Sequence, residues 1–124
     1  MKLFPIEFKA GMPVYEQVLY AARKAIIGGE LVPGDAFPSV RALSAAYRIN
    51  PNTVQKALVE LKHEGLIESV PGIGNRVTTA PKSTASQRDI LLEDQLEVLT
   101  LRAKQLRLTL DQIIESLRTH WENL

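Results

Sequence analysis

The chain has 124 residues, of which 45% are hydrophobic and 23% charged, so it has room for one ordinary domain or a small domain with an appendage. It has no cysteine, which excludes disulfides, cysteine-ligated zinc and a thiol nucleophile. No apolar run approaches the roughly 18 residues of a membrane span, and the N-terminus has no signal-peptide pattern. These features favour a cytoplasmic protein with no membrane partner.

Charge alone does not suggest a nucleic-acid partner. The formal net charge is only +1, with 9 lysines and arginines against 7 acidic residues in 1–80 and 6 against 7 in 81–124. A clearly basic domain is the usual footprint of nucleic-acid binding. Such a function must therefore be inferred from the order of the elements and from particular side chains.

The first half of the chain predicts two helices separated by a turn and a very short strand. The first helix begins after Pro13 and ends at the glycine pair 28–29; its inward face is predicted at Val14, Val18, Ala22 and Ile26. A turn at 32–35 and a strand at 36–37 follow. The second helix has Ser39 as its N-cap and packs inward through Val40, Leu43 and Tyr47.

The third helix has the clearest end signals. Asn50 is a favoured N-cap, and Pro51 at the first helical position has no N–H to leave unpaired. Gly65 suits a left-handed residue after the helix, which would place Leu66 against Leu61 in a Schellman ending. Only residues 48–50 separate this helix from the second, a link of helix-turn-helix length.

Strands predicted at 67–70 and 76–79, joined by a loop at 71–75, follow the third helix. The predicted fold class is therefore mainly α with a small β-hairpin. It consists of a winged helix-turn-helix DNA-binding domain at 1–80, a linker at 81–86, and a short helical dimerisation region at 87–124.

The outward face of the third helix carries side chains suited to DNA. Burying Val54, Leu58 and Leu61 turns a polar row outward, namely Asn52, Lys56, Val59 and His63, with Thr53 and Gln55 beside it. Asparagine and glutamine pair with adenine edges, lysine reaches guanine or phosphate, and threonine contacts phosphate or a thymine methyl group. The alternative for such a helix taken alone is a solvated polar face, and His63 and His120 are interpreted as surface residues.

Two runs of residues resemble the DNA-binding domain of GntR-family regulators. They are Ile26-x-x-Gly29-x-Leu31-x-x-Gly34-Asp35-x-Phe37-Pro38-Ser39-x-Arg41-x-Leu43 and Asn50-Pro51-Asn52-Thr53-Val54-x-x-Ala57-Leu58-x-x-Leu61-x-x-x-Gly65-Leu66-Ile67. The start of the second run and the short C-terminal region are similar to the small YtrA-type branch. The resemblance implies a sequence-specific regulator, a homodimeric repressor that binds a palindromic operator near its own operon.

The same resemblance implies DNA contacts by Arg41 on the second helix, by the cap Ser39 and by the recognition-helix positions. The full predicted DNA-binding set is Ser39, Arg41, Asn50, Asn52, Thr53, Gln55, Lys56, Gly72 and Arg76. The wing tip departs from the family pattern, because Ile73 stands where a lysine or arginine is common. The wing is therefore expected to contribute less than in relatives.

The C-terminal region predicts a dimerisation device. Its apolar residues follow a 4–3 spacing, and the predicted dimerisation set is Leu92, Leu96, Leu99, Leu106, Leu110, Ile113 and Leu117. A capping box at Thr109-x-x-Gln112 favours two helices, about 87–107 and 110–122, over one long helix. An exposed surface so apolar favours pairing with a second copy; the alternative is packing on the chain's own winged domain.

Other functions have less support. No nucleophile–base pair, metal cluster or phosphate loop occurs, so we expect no enzyme activity, no cofactor and no metal. A protein-interaction module without sequence-specific DNA binding is the alternative function. An unidentified small-molecule effector is a further possible partner, although the apolar C-terminal residues are all needed for packing.

Overall fold

A computed structural model describes residues 3–79 and 84–124, which fall into two compact units, Met1–Pro81 and Lys82–Leu124. The first unit contains α1 (Val14–Ile27), β1 (Ala36–Phe37), α2 (Val40–Tyr47), α3 (Pro51–His63), β2 (Ile67–Val70) and β3 (Gly74–Val77). The second contains α4 (Ala85–Asp89), a π-helical segment (Ile90–Gln95), α5 (Leu96–Gln105) and α6 (Leu110–Asn123). No helix in the described ranges is long and apolar enough to cross a membrane.

The core of the first unit lies between α1, α2, α3 and the sheet. Val18, Leu43, Val54 and Leu61 are completely buried, and the rings of Phe4 and Phe37 pack at 5.6 Å between centroids. The inward face predicted for α1 is wrong at one position, because Val14 in the first turn is 43% exposed. The segment before α1 is held instead by the buried Gln17, whose side-chain amide bonds to backbone atoms of Lys9 and Met12.

The strands form a three-stranded antiparallel sheet in the order β1-β3-β2. The predicted second hairpin strand, 76–79, is displaced, since β3 begins at Gly74 and ends at Val77. The reason is pairing on both sides of β3: Asn75 lies opposite Ser69 of β2 and also opposite Phe37 of β1. The wing loop is therefore shorter than the predicted loop at 71–75.

The end of α3 has the predicted Schellman geometry. Gly65 adopts a φ of +78°, its N–H donates to the carbonyl of Lys62 at 3.0 Å, and the N–H of Leu66 donates to the carbonyl of Leu61 at 3.0 Å. The two bonds satisfy carbonyls that the helix leaves free and direct the chain into β2. Nearby, Arg23 of α1 forms an ion pair with Glu64 at 2.5 Å, which raises the pKa of Arg23.

The second unit has two helical stretches, as the capping box at Thr109 predicts. The N–H of Gln112 donates to Oγ1 of Thr109 at 3.1 Å, and the N–H of Thr109 donates to Oε1 of Gln112 at 2.8 Å. The break before this cap is a Schellman turn in which Arg107 has a φ of +58°. One continuous helix over this region is thereby excluded.

The start of the second unit differs from the predicted linker at 81–86. Residues 81–83 of that linker lie outside the described residues, but α4 already begins at Ala85. A second capping box explains the early start, because the side chains of Thr84 and Gln87 each accept the other's backbone N–H. The π-helical segment was also not predicted; it interrupts, at Leu92, the α-helical periodicity on which the 4–3 spacing depends.

Candidate nucleic-acid interface

The N-terminus of α3 is built as a recognition-helix start requires. The N–H of Asn52 donates to Oδ1 of Asn50 at 2.8 Å, and Pro51 occupies the first helical position. The side chains of Asn50, Asn52 and Gln55 are exposed, whereas Thr53 is half-buried. Exposed amides therefore lie at the helix end where free backbone N–H groups and the positive end of the helix dipole attract phosphate.

The apolar and polar faces of α3 separate as predicted. Val54, Ala57, Leu58 and Leu61 are buried, while Lys56, Val59 and His63 are exposed. The ammonium of Lys56 lies 4.4 Å from the ring centroid of Tyr15, at the start of α1. This cation–π contact, which sequence spacing does not reveal, holds the lysine toward α1 and limits its reach along the outward face.

The start of α2 presents a second polar group. The N–H of Ala42 donates to Oγ of Ser39 at 3.0 Å, which confirms Ser39 as the N-cap. Arg41, in the first turn, is exposed and has no ion-pair partner among the described residues. A capped helix start with an unpaired guanidinium is suited to a phosphate or a guanine edge.

The wing offers little free positive charge. Its cation Arg76 is paired with Glu68 across the strands, with Nε and Oε1 2.6 Å apart. Gly72 adopts a φ of +75° in the tight turn, and Ile73 beside it is 79% exposed. The hairpin therefore places an apolar tip where a basic one would contact phosphate, and its arginine is already shared with a carboxylate.

One exposed cation beside α3 was not among the predicted site residues. Arg48, between α2 and Asn50, has a φ of +54° and a ψ of +47°, the left-handed region. A residue other than glycine costs of order 1 kcal/mol there. The tight link between the helices predicts a left-handed residue, but arginine at that position gives no local signal.

Comparison with known proteins identifies the family. A model described as "Bacterial regulatory proteins, gntR family" matches residues 14–77, from the start of α1 to the end of β3. The chain belongs to the gntR family. It is therefore a DNA-binding transcription regulator and not an enzyme.

Relatives match most of this gntR-family regulator. It is 32% identical to the HTH-type transcriptional repressor YtrA of Bacillus subtilis over 91% of this chain and 88% of that one. A structure of a transcriptional antiterminator from Listeria monocytogenes EGD-e has a TM-score of 0.82 at 25% identity, covering 96% of this chain and 90% of that one. The AraR DNA-binding domain in complex with operator ORX1 has a TM-score of 0.55 at 25% identity, covering 63% and 100%.

The C-terminal helices of this gntR-family regulator expose their apolar residues. Leu96 is 45% exposed, Leu99 48%, Leu117 58% and Trp121 80%; of the predicted dimerisation set only Ile113 is half-buried. Within the second unit, Ala103 is the one buried hydrophobic residue described. The helices therefore leave a row of exposed apolar side chains without a partner inside their own unit.

Proposed function

We propose that the protein is a homodimeric repressor that binds a palindromic operator near its own operon, in the cytoplasm. Family membership supplies DNA binding and regulation. The repressor role is transferred from the name of the Bacillus subtilis relative. The observation that carries the dimer is the apolar row of α5 and α6, which has no partner inside its own unit.

A second copy of this chain is the proposed partner of that row. Monomeric proteins rarely expose contiguous apolar surface on this scale, and pairing would remove it from water. The predicted dimerisation set lies along both helical stretches, so each subunit would offer the same surface to the other, as a two-fold interface requires. Residues 87–124 would then form the dimerisation region, and residues 1–80 the DNA-binding domain.

Each subunit would place the start of α3 in the major groove. Asn52 and Gln55 would contact base edges, and Thr53 and the cap Asn50 would contact the walls of the groove. Ser39 and Arg41 would contact the flanking DNA backbone or a guanine. Lys56 would contact phosphate rather than a base, because Tyr15 draws it toward α1. Gly72 and Arg76 would make only the weaker contacts of the wing.

Two substitutions test this assignment. Arg41→Ala removes a phosphate or guanine contact, and Gln55→Ala removes a base contact, each from an exposed side chain. Each is expected to weaken operator binding roughly 5- to 150-fold in a gel-shift assay. Lys24→Ala, which removes an exposed cation from the last turn of α1, is the matched control and should leave binding nearly unchanged. Unchanged affinity of the Arg41→Ala, Gln55→Ala double variant would refute the proposed interface.

A further inference from the structure

The link between α2 and α3 contains an arginine in a backbone conformation that favours glycine. Arg48 has a φ of +54°, its N–H donates to the carbonyl of Ser44, and the N–H of Ile49 donates to the same carbonyl at 3.2 Å. This is a left-handed helix ending of the kind that usually carries glycine or asparagine. The chain therefore keeps a strained residue where an unstrained one would close the same turn.

The chain around this turn directs Arg48 outward. Ile49 is buried and packs in the core, whereas Arg48 and Asn50 on either side of it are exposed. Because consecutive Cα atoms are about 3.8 Å apart, the Cα of Arg48 lies within about 7.6 Å of that of Asn50. A long arginine side chain from this position can reach the backbone of DNA whose groove holds the start of α3.

Arg48 also has no internal partner among the residues that the structure describes. The two ion pairs described in the structure join Arg23 to Glu64 and Arg76 to Glu68, and neither involves Arg48. No side-chain hydrogen bond or ring contact described for residues 3–79 and 84–124 uses it. Because no described partner neutralises it, its guanidinium is available to a ligand of opposite charge.

We propose that Arg48 binds a DNA phosphate beside the N-terminus of α3. A guanidinium is always charged and pairs with phosphate oxygens in a bidentate manner. The contact would be independent of base sequence and would fix the depth and orientation of the recognition helix. This inference rests on the proposed function, since it assumes that α3 enters the groove.

A different role for Arg48 is stabilisation of α2, because a cation near a helix C-terminus interacts favourably with the helix dipole. Arg107 provides a matched control within the same chain. It occupies the corresponding position after α5, with a φ of +58° and its N–H donating to the carbonyl of Lys104 at 3.1 Å. Glycine at either site relieves the same backbone strain and removes the same charge.

The experiment compares full-length Arg48→Gly, Arg48→Lys and Arg107→Gly proteins with the wild type. Melting temperature is measured by circular dichroism, and Kd by fluorescence anisotropy between about 50 and 200 mM salt. Two duplexes are used: one selected by the wild type from random DNA, and one of unselected sequence. A phosphate contact is expected to act on both duplexes, because it carries no sequence information.

If Arg48 binds phosphate, Arg48→Gly raises the melting temperature by about 4 °C yet weakens binding to both duplexes. The slope of its log Kd against log salt concentration is smaller by about 0.9 per bound subunit. Its affinity deficit therefore shrinks between the two salt concentrations by about 3.5-fold for one bound subunit and about 12-fold for a bound dimer. Arg48→Lys retains the salt dependence, and Arg107→Gly gains stability without losing affinity.

The inference is overturned if Arg48→Gly binds both duplexes as the wild type does, or if it binds more weakly with an unchanged salt dependence. The second result would assign Arg48 a role in helix geometry only. If the wild type selects a DNA sequence but Arg48→Gly gives either of these two results, the Arg48 contact is rejected and the proposed function stands. A wild type that enriches no sequence from random DNA and does not bind the unselected duplex rejects both.

Discussion

Ser39 caps α2 and is also proposed to contact the DNA backbone, and two substitutions separate these two roles. Its Oγ accepts the N–H of Ala42 at 3.0 Å at the start of α2. Ser39→Ala leaves that N–H without its cap and is expected to cost about 1 kcal/mol of unfolding free energy, or about 4 °C in melting temperature. Ser39→Asp keeps a cap acceptor of equal quality and adds a favourable charge near the positive end of the helix dipole.

The same aspartate places a negative charge where a phosphate is proposed to lie. At a separation of about 4 Å, the repulsion amounts to about 1 kcal/mol in water and about 4 kcal/mol near a protein surface. Ser39→Asp should therefore keep its melting temperature while its operator Kd rises roughly 5- to 1,000-fold in an anisotropy titration. Thr109→Asp makes the same kind of cap at α6 and is expected to leave affinity unchanged.

A Ser39→Asp protein that binds the operator as tightly as the wild type would contradict the placement of the α2 N-terminus against the DNA backbone. Equal losses of affinity in Ser39→Ala and Ser39→Asp would contradict it as well. In that case the shared loss of the serine hydroxyl, and not the added charge, would be responsible.

Two further substitutions test the wing and the core. Glu68→Gln breaks the 2.6 Å ion pair with Arg76, and because both side chains are more than a third exposed it should destabilise the fold by less than about 1 kcal/mol. The released arginine should tighten DNA binding and steepen its salt dependence in anisotropy titrations; an unchanged salt dependence would show that Arg76 does not reach the DNA. Leu58→Ala empties a core position that is 1% exposed, and urea unfolding should show a loss of about 2–5 kcal/mol, whereas a loss below 1 kcal/mol would contradict the described packing.

Features set by local chemistry were predicted well from the sequence. The N-caps Ser39 and Asn50, the Schellman ending at Gly65 and the capping box at Thr109 are all confirmed by their hydrogen bonds. Each involves residues within a few positions of one another, so the interactions follow from residue type and spacing. The winged helix-turn-helix follows from the order of these elements.

Features that depend on distant residues were missed. The early start of β3 reflects the pairing of Gly74 with Val70 of β2 and of Asn75 with Phe37 of β1. The restraint on Lys56 comes from Tyr15 in another helix. The ion pair between Arg76 and Glu68 can be predicted only from the correct register of β2 and β3, and the predicted position of β3 was displaced. In the second unit, the π-helical segment at Ile90–Gln95 contains no glycine or proline to signal it.

Selection of bound sequences from a random DNA pool by the full-length protein tests the central claim most directly, when combined with sedimentation of the resulting complex. A homodimer with one recognition helix per subunit predicts an inverted repeat, with half-site centres about one or two helical turns apart and two chains per duplex. Failure to enrich any sequence would contradict sequence-specific binding. Enrichment of a single unsymmetric site occupied by one chain would contradict the dimer.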